Sequence, residues 1–185
     1  MWMMRFRLRS LMPAAVIACA CQGVSPTPSR GDSIAPAATL QELMETRVDP
    51  AADALWDSVA FIASKKGEED RRPRTPAEWA AVRKEARALI EAAAELESPG
   101  RRVSRLLASP GPGELSAADI QLRIDADSAA FGERARVLQR AARQALAAID
   151  AKDADALMNA GGIIDAACEA CHVVYWYPQQ LEGRK

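Results

Sequence analysis

Ala160-Gly161-Gly162-Ile163-Ile164-Asp165-Ala166-Ala167-Cys168-Glu169-Ala170-Cys171-His172 lies close to the end of a 185-residue chain, with Tyr175-Trp176-Tyr177-Pro178 just behind it. Leu157, Gly161, Ile164, Cys168 and Cys171 fall on one stripe at helical spacing, so the stretch reads as an amphipathic helix. It opens after the turn Ala151-Lys152-Asp153 and stops at Pro178. Each of the paired glycines costs such a helix about 1 kcal/mol against alanine. Close approach of a neighbouring helix or of a cofactor explains why they stand there.

Within that helix, Cys168-Glu169-Ala170-Cys171-His172 is a C-x-x-C-H run, the attachment signature of c-type haem. Thiols at i and i+3 share a helix face and can both reach one edge of a flat macrocycle. His172, at i+4 from Cys168, stays on that face and presents an imidazole to the iron. The chain has only this histidine, so any protein imidazole on the iron is His172. A structural zinc site needs four nitrogen or sulfur ligands, and the motif supplies three. A thioredoxin-like pair opens a helix in a βαβ unit, and no segment here reads as a convincing strand.

The first residues read as an export signal over 1–18. Arg5, Arg7 and Arg9 form a basic n-region, and Leu11 to Ala20 is apolar but too short to span a bilayer. Val16-Ile17-Ala18-Cys19 resembles the lipobox of bacterial lipoproteins, which implies lipidation of Cys19 and an N-terminal membrane anchor. Cys21 is the alternative first residue, and a soluble periplasmic protein is the rival form. Residues 19–38, with Ser25-Pro26-Thr27-Pro28-Ser29 and Ala35-Pro36, read as a flexible tether. Two of the four cysteines then belong to the signal region and two to the haem, which leaves no disulfide framework.

Residues 39–182 are one domain by size. A net charge of −1 excludes a nucleic-acid surface. Four helical regions are expected, joined into an all-α antiparallel four-helix bundle with haem attached near the C-terminus. The first runs from about Thr39 to Ala63, with Pro50 either at the first position of a new helix or at a kink in one long helix. The second opens with the capping box Thr75-Pro76-Ala77-Glu78 and ends at Ser98-Pro99-Gly100. Pro99 to Leu115 is a loop, with one helical turn near Leu106. A third helix runs from Ser116 through Ile149, and the haem helix is the fourth. Arg71, Arg72 and Arg74 beside Glu68, Glu69 and Asp70 read as a solvated turn.

Two stretches carry a family resemblance. Ala160 to His172 with Tyr175 to Pro178, together with Met44-Glu45-Thr46-Arg47-Val48-Asp49-Pro50-Ala51-Ala52-Asp53-Ala54-Leu55-Trp56, resembles the class II c-type cytochromes, the cytochrome c′ and cytochrome c556 group. The resemblance covers most of residues 38–182. It implies a four-helix bundle, one covalent haem c and homodimers through the first two helices, while the export signal places the protein and its redox partner proteins in the periplasm. It also implies that Met44 matches the methionine that binds iron opposite the histidine in the low-spin members. A plain core role for Met44 is the alternative, since methionine fills gaps well. Met158 lies on the haem helix itself, about 20 Å from His172 at 1.5 Å per residue.

With His172 and Met44 both on the iron, the protein is expected to carry single electrons and not to act as a catalyst. Without Met44, a five-coordinate iron with an open face for NO or CO is the alternative. Tyr175 and Trp176 are candidate haem contacts by their nearness to His172, and Arg47, one turn from Met44, is a candidate partner for a haem propionate.

Overall fold

The computed structural model describes residues 37–65, 67–106 and 109–178. The export signal, Cys19 and Cys21 lie outside the described residues. The first helical run opens at Thr39, whose hydroxyl accepts the Glu42 N–H at 3.2 Å while Glu42 accepts the Thr39 N–H at 2.8 Å. The free amides of that first turn are met by the loop that follows the second long helix: Leu40 N–H donates to the Arg102 carbonyl at 2.9 Å and Gln41 N–H to that of Val103 at 3.0 Å. Helix α1 spans Leu40–Leu43, a π-helical segment spans Met44–Val48, and α2 spans Asp49–Ser58.

That π segment resolves the two readings of Pro50. Proline has no N–H and its ring collides with the carbonyl four residues back, so a regular α-helix cannot pass through it undisturbed. One wide turn absorbs the conflict: the Asp49 N–H reaches back five residues to the Met44 carbonyl, and Asp49 keeps right-handed helical angles. The run is one continuous helix with no break at Asp49.

Two sequence expectations need correction here. The first helix stops at Ser58, where Val59 turns extended (φ −138°, ψ 117°). Residues assigned to helix and to a solvated turn form an antiparallel hairpin instead, with β1 at Ala60–Ser64 and β2 at Gly67–Arg71, in the register Ala60↔Arg71 through Ser64↔Gly67. The fold is therefore mostly helical with one exposed hairpin. Ile62 follows Val59 at helical spacing, yet it is exposed, so no core contact of its own holds this stretch in helical form. Gly67, at φ +123°, supplies the turn.

Helix α3 spans Pro76–Leu96 and is capped by Thr75 and Glu78 as its sequence implies. The expected third helix is two, α4 at Ala117–Ala126 and α5 at Ser128–Ala151. Asp127 separates them: its backbone leaves the helical region (φ −148°, ψ 74°) and its carboxylate caps α5 by accepting the Ala130 N–H at 2.9 Å. Lys152, left-handed at φ 55°, ends α5, and Asp153 caps α6, which spans Ala154–Tyr175. The loop 99–115 carries no helical turn at Leu106 among its described residues.

The α1–α2 run, α3, α5 and α6 make the four-membered bundle, each packing on the next in that order and α6 closing back on α2. Small residues set the spacing. Ala86, Ala92 and Ala93 of α3 and Ala141, Ala142 and Ala145 of α5 are buried, which lets these two helices lie close. Leu43, Leu55, Leu89, Ile149, Leu157 and Ile164 fill the rest of the core. Where α2 meets α6, Trp56 lies on Gly161 and donates its Nε1–H to the Gly161 carbonyl at 3.1 Å. A neighbouring helix thus accounts for Gly161, whereas Gly162 faces open space.

Candidate functional site

The π segment and the last two turns of α6 face each other across a cleft. Its narrow part, of about 30 Å³, is lined by Met44, Val48 and Asp49 on one side, by Phe131, Arg134 and Leu138 of α5, and by Cys168, Cys171 and His172 of α6. It runs into a wider space of about 320 Å³ that shares Met44, Asp49, Phe131, Cys171 and His172 and reaches Leu106, Tyr175 and Trp176. The wide turn at Met44–Val48 matters to this arrangement: it places Met44, Val48 and the following Asp49 together on the lining.

Both thiols are free and half-buried. Burial first of all pushes Cys168 and Cys171 up to about 11. At neutral pH they are thiols, which argues against a dithiol redox pair, whose attacking sulfur needs thiolate character. Burial likewise lowers His172 below the usual imidazole range, while the nearby Asp49 carboxylate opposes that shift. The ring is neutral at neutral pH, the form that can donate a lone pair to a metal. Asp49 itself is raised above the ordinary carboxylate range, chiefly by burial, against the pull of His172.

Among the described residues no three His, Cys, Asp or Glu side chains converge where a lone ion would sit. The donor set is instead two thiols and an imidazole spread along one helix face, above an apolar cleft with a thioether on its far wall. That chemistry fits a flat, covalently held macrocycle and its iron.

The other sequence-derived candidates divide. Tyr175 lines the wider space and is buried, edge-on to Phe131 at 5.3 Å with an interplanar angle of 86°. Trp176 also lines it and meets the His172 ring edge-on. Met158 lies away from the cleft, in a separate surface depression with Trp56 and Asp165. Arg47 stands apart from these. It lines neither part of the cleft, and its guanidinium is held by Glu95 and, at 3.9 Å, by Glu91. Its position in the π turn directs it to α3.

Sequence reasoning passed over three residues of the site. Asp49 carries no signal in the sequence beyond its place before Pro50, and Arg134 has no motif to mark it. Arg134 donates to the Ala170 carbonyl, inside the C-x-x-C-H run, at 2.5 Å. Tyr177 stands just before the helix stop at Pro178, and its ring lies 5.9 Å from that of His172. The aromatic run directly after the histidine was the one signal that would have found it. Among the described residues no helix is long and apolar enough to cross a membrane.

No family model matches the chain, and no curated protein sequence matches it. Among solved structures it is similar to a ferrous variant of cytochrome c prime from Alcaligenes xylosoxidans with bound NO, at 21% identity over 75% of this chain and 98% of that one, with a TM-score of 0.46. A second ferrous variant of the same protein matches at 20% identity over 76% and 98%, with a TM-score of 0.45. A third, in a nitric oxide complex, matches at 21% over 76% and 97%, also at 0.45.

Proposed function

We propose that the protein is a c-type cytochrome of the class II kind, carrying one covalent haem c in the cleft between the π segment and α6. The observation that carries this reading is that Cys168, Cys171 and His172 lie half-buried on one face of α6 and line a single apolar cleft with Met44. Cys168 and Cys171 would form the two thioether bonds and His172 would be the first axial ligand. Bound haem supplies a one-electron Fe(III)/Fe(II) couple. The chain's own part is to hold the ligands, exclude bulk water through Val48, Leu138 and Phe131, and keep one side of the cleft near solvent.

The sixth position has two readings. In the first, Met44 and His172 would together hold the iron, the soft thioether would favour Fe(II), and the protein would carry electrons. Met44 is only partly buried and lines both parts of the cleft, which supports it. In the second, Met44 stays aside and the iron binds NO or CO. The wider space beside Met44 and His172 favours that reading, and nitric oxide is the ligand bound in Alcaligenes cytochrome c prime structures.

One experiment tests all of this. The protein is produced with haem-maturation machinery, and haem staining in a denaturing gel reports the thioether bonds. Oxidised and reduced optical spectra are then compared with those of Met44→Ala. A low-spin reduced spectrum with the weak red band of thioether ligation, lost in Met44→Ala, gives the electron carrier. A high-spin spectrum that shifts with CO and is unaltered by Met44→Ala gives the gas-binding protein. Absence of stain overturns both.

Export to the periplasm, with Cys19 (or Cys21) lipidated as a membrane anchor, belongs to the same proposal. It rests on the basic and apolar pattern of the first residues. Mass spectrometry of the mature N-terminus tests it: a diacylglyceryl cysteine supports the anchor, and an unmodified cleaved end gives the soluble form.

A further inference from the structure

The end of α6 folds back over the histidine it carries. Trp176 N–H donates to the His172 carbonyl at 2.8 Å as the last regular helical bond, and Tyr177 N–H shares that carbonyl at 3.0 Å, so both residues stay beside His172 past the helix end. This arrangement brings two aromatic rings against the imidazole. Trp176 meets it edge-on, with ring centres 5.1 Å apart and planes at 89°. Tyr177 meets it at 5.9 Å and 61°, and the two aromatics touch each other at 5.4 Å. The whole is tied down at two further points. Tyr177 donates its hydroxyl to Glu169 at 2.6 Å, and the Trp176 carbonyl accepts the Leu115 N–H at 2.8 Å.

An imidazole needs such support if it is to hold one orientation. Its outer torsion is broad and roughly two-fold, so the ring plane is not set by the backbone alone. Ligand histidines are commonly oriented by a hydrogen bond from the second ring nitrogen to a carboxylate or carbonyl. Among the described residues no hydrogen bond reaches either ring nitrogen of His172; near it stand the Trp176 and Tyr177 rings and the Asp49 and Glu169 carboxylates. Trp176 is also 40% exposed. A large indole left at the surface is not there to fill the core, and its ring contacts are with His172 and Tyr177.

We propose that Trp176 and Tyr177, with Glu169 bracing the Tyr177 hydroxyl, are positioning residues that fix the plane of the His172 imidazole and so the orientation of the iron's ligand. The proposal rests on the haem reading above. In it Glu169, between the two cysteines of the motif, has a structural task of its own. The edge-on contacts allow the imidazole to stand in one plane and resist its rotation, because turning the ring drives its face into the aromatic edges.

The test uses the full holoprotein in the ferric state and the paramagnetic proton NMR of the four haem methyl groups, whose order and spread follow the ligand plane whether or not a sixth ligand is present. Trp176→Leu is expected to reorder or compress the four resonances and shift the reduction potential, with helical circular dichroism unchanged, and Trp176→Phe to restore the wild-type order. Resonances that superimpose on wild type in Trp176→Leu overturn the proposal, and so does a change that Trp176→Phe does not rescue. Should Trp176→Leu fail to fold, Tyr177→Leu against Tyr177→Phe decides by the same criteria. Wild-type protein without covalent haem would defeat the haem reading, an outcome plainly different from an unchanged methyl pattern.

Discussion

The two adjacent glycines of α6 should respond in opposite ways to the same substitution. Both lie in the helix interior, where replacing glycine by alanine gains about 1 kcal/mol from backbone propensity. At Gly162 a new Cβ meets nothing within 4 Å, so Gly162→Ala should show that gain in full. At Gly161 the Cβ would lie 3.1 Å from Cδ1 and 3.4 Å from Nε1 of Trp56. The indole must then retreat by a few tenths of an ångström. It has room to do so, because it borders the open depression shared with Met158. Retreat, however, stretches its 3.1 Å hydrogen bond to the Gly161 carbonyl, a bond worth about 1 kcal/mol net. Gly161→Ala should therefore be close to neutral, leaving a gap of about 1 kcal/mol between the two variants. Urea unfolding of the holoprotein, followed by circular dichroism at constant m, measures that gap. For a chain of this size it corresponds to about 2–4 °C in Tm. In a Trp56→Ala background the gap should close. Equal stabilisation by both alanines in the wild-type background would refute the claim that Trp56 dictates glycine at position 161.

Three further outcomes are expected. Cys168→Ala with Cys171→Ala should abolish haem staining in a denaturing gel, while either single variant retains one thioether and a weakened stain. The Arg105 guanidinium, aided by the Thr39 N–H, holds the Glu42 carboxyl down to about 2 from 4.5; the native state is thus favoured above pH 4.5, and that contribution fades as pH falls from there through about 2. Arg105→Gln should move the Glu42 carboxyl carbon titration upward in NMR. Lys152, a non-glycine residue at φ 55°, caps α5 in a left-handed conformation, so Lys152→Gly should stabilise the protein by up to about 1 kcal/mol in the same unfolding assay.

Most of the bundle is legible in the chain because its signals are local. Thr75 and Glu78 cap α3 as their spacing implies, and Asp153 opens α6 directly after the expected turn. The failures occur where one local signal has two outcomes. Asp127 sits inside a continuous helical pattern, yet its short carboxylate competes for the amides ahead of it and starts a new helix. Val59 and Ile62 satisfy helical spacing, and the exposed hairpin that begins after Val59 has no burial pattern to reveal it. Pro50 announces a disturbance but not its form; a π turn is a cooperative answer of the whole helix to one missing N–H.

What the sequence determined alone is the chemistry: two thiols and one imidazole in a C-x-x-C-H run late in the chain, on a helix whose period makes them share a face. Covalent spacing and helical pitch suffice for that, and neither depends on distant residues. Tertiary structure decided what stands opposite and around them. Met44 reaches the cleft while Arg47, three residues on, is turned to Glu95, because the π turn sets the direction of each side chain. Tyr177 closes on His172 beside Trp176 because its N–H reaches five residues back, past the helical pattern, to the histidine's own carbonyl. Those facts depend on packing between segments far apart in sequence or on a turn whose path no single residue dictates, so they exist only once the bundle has formed.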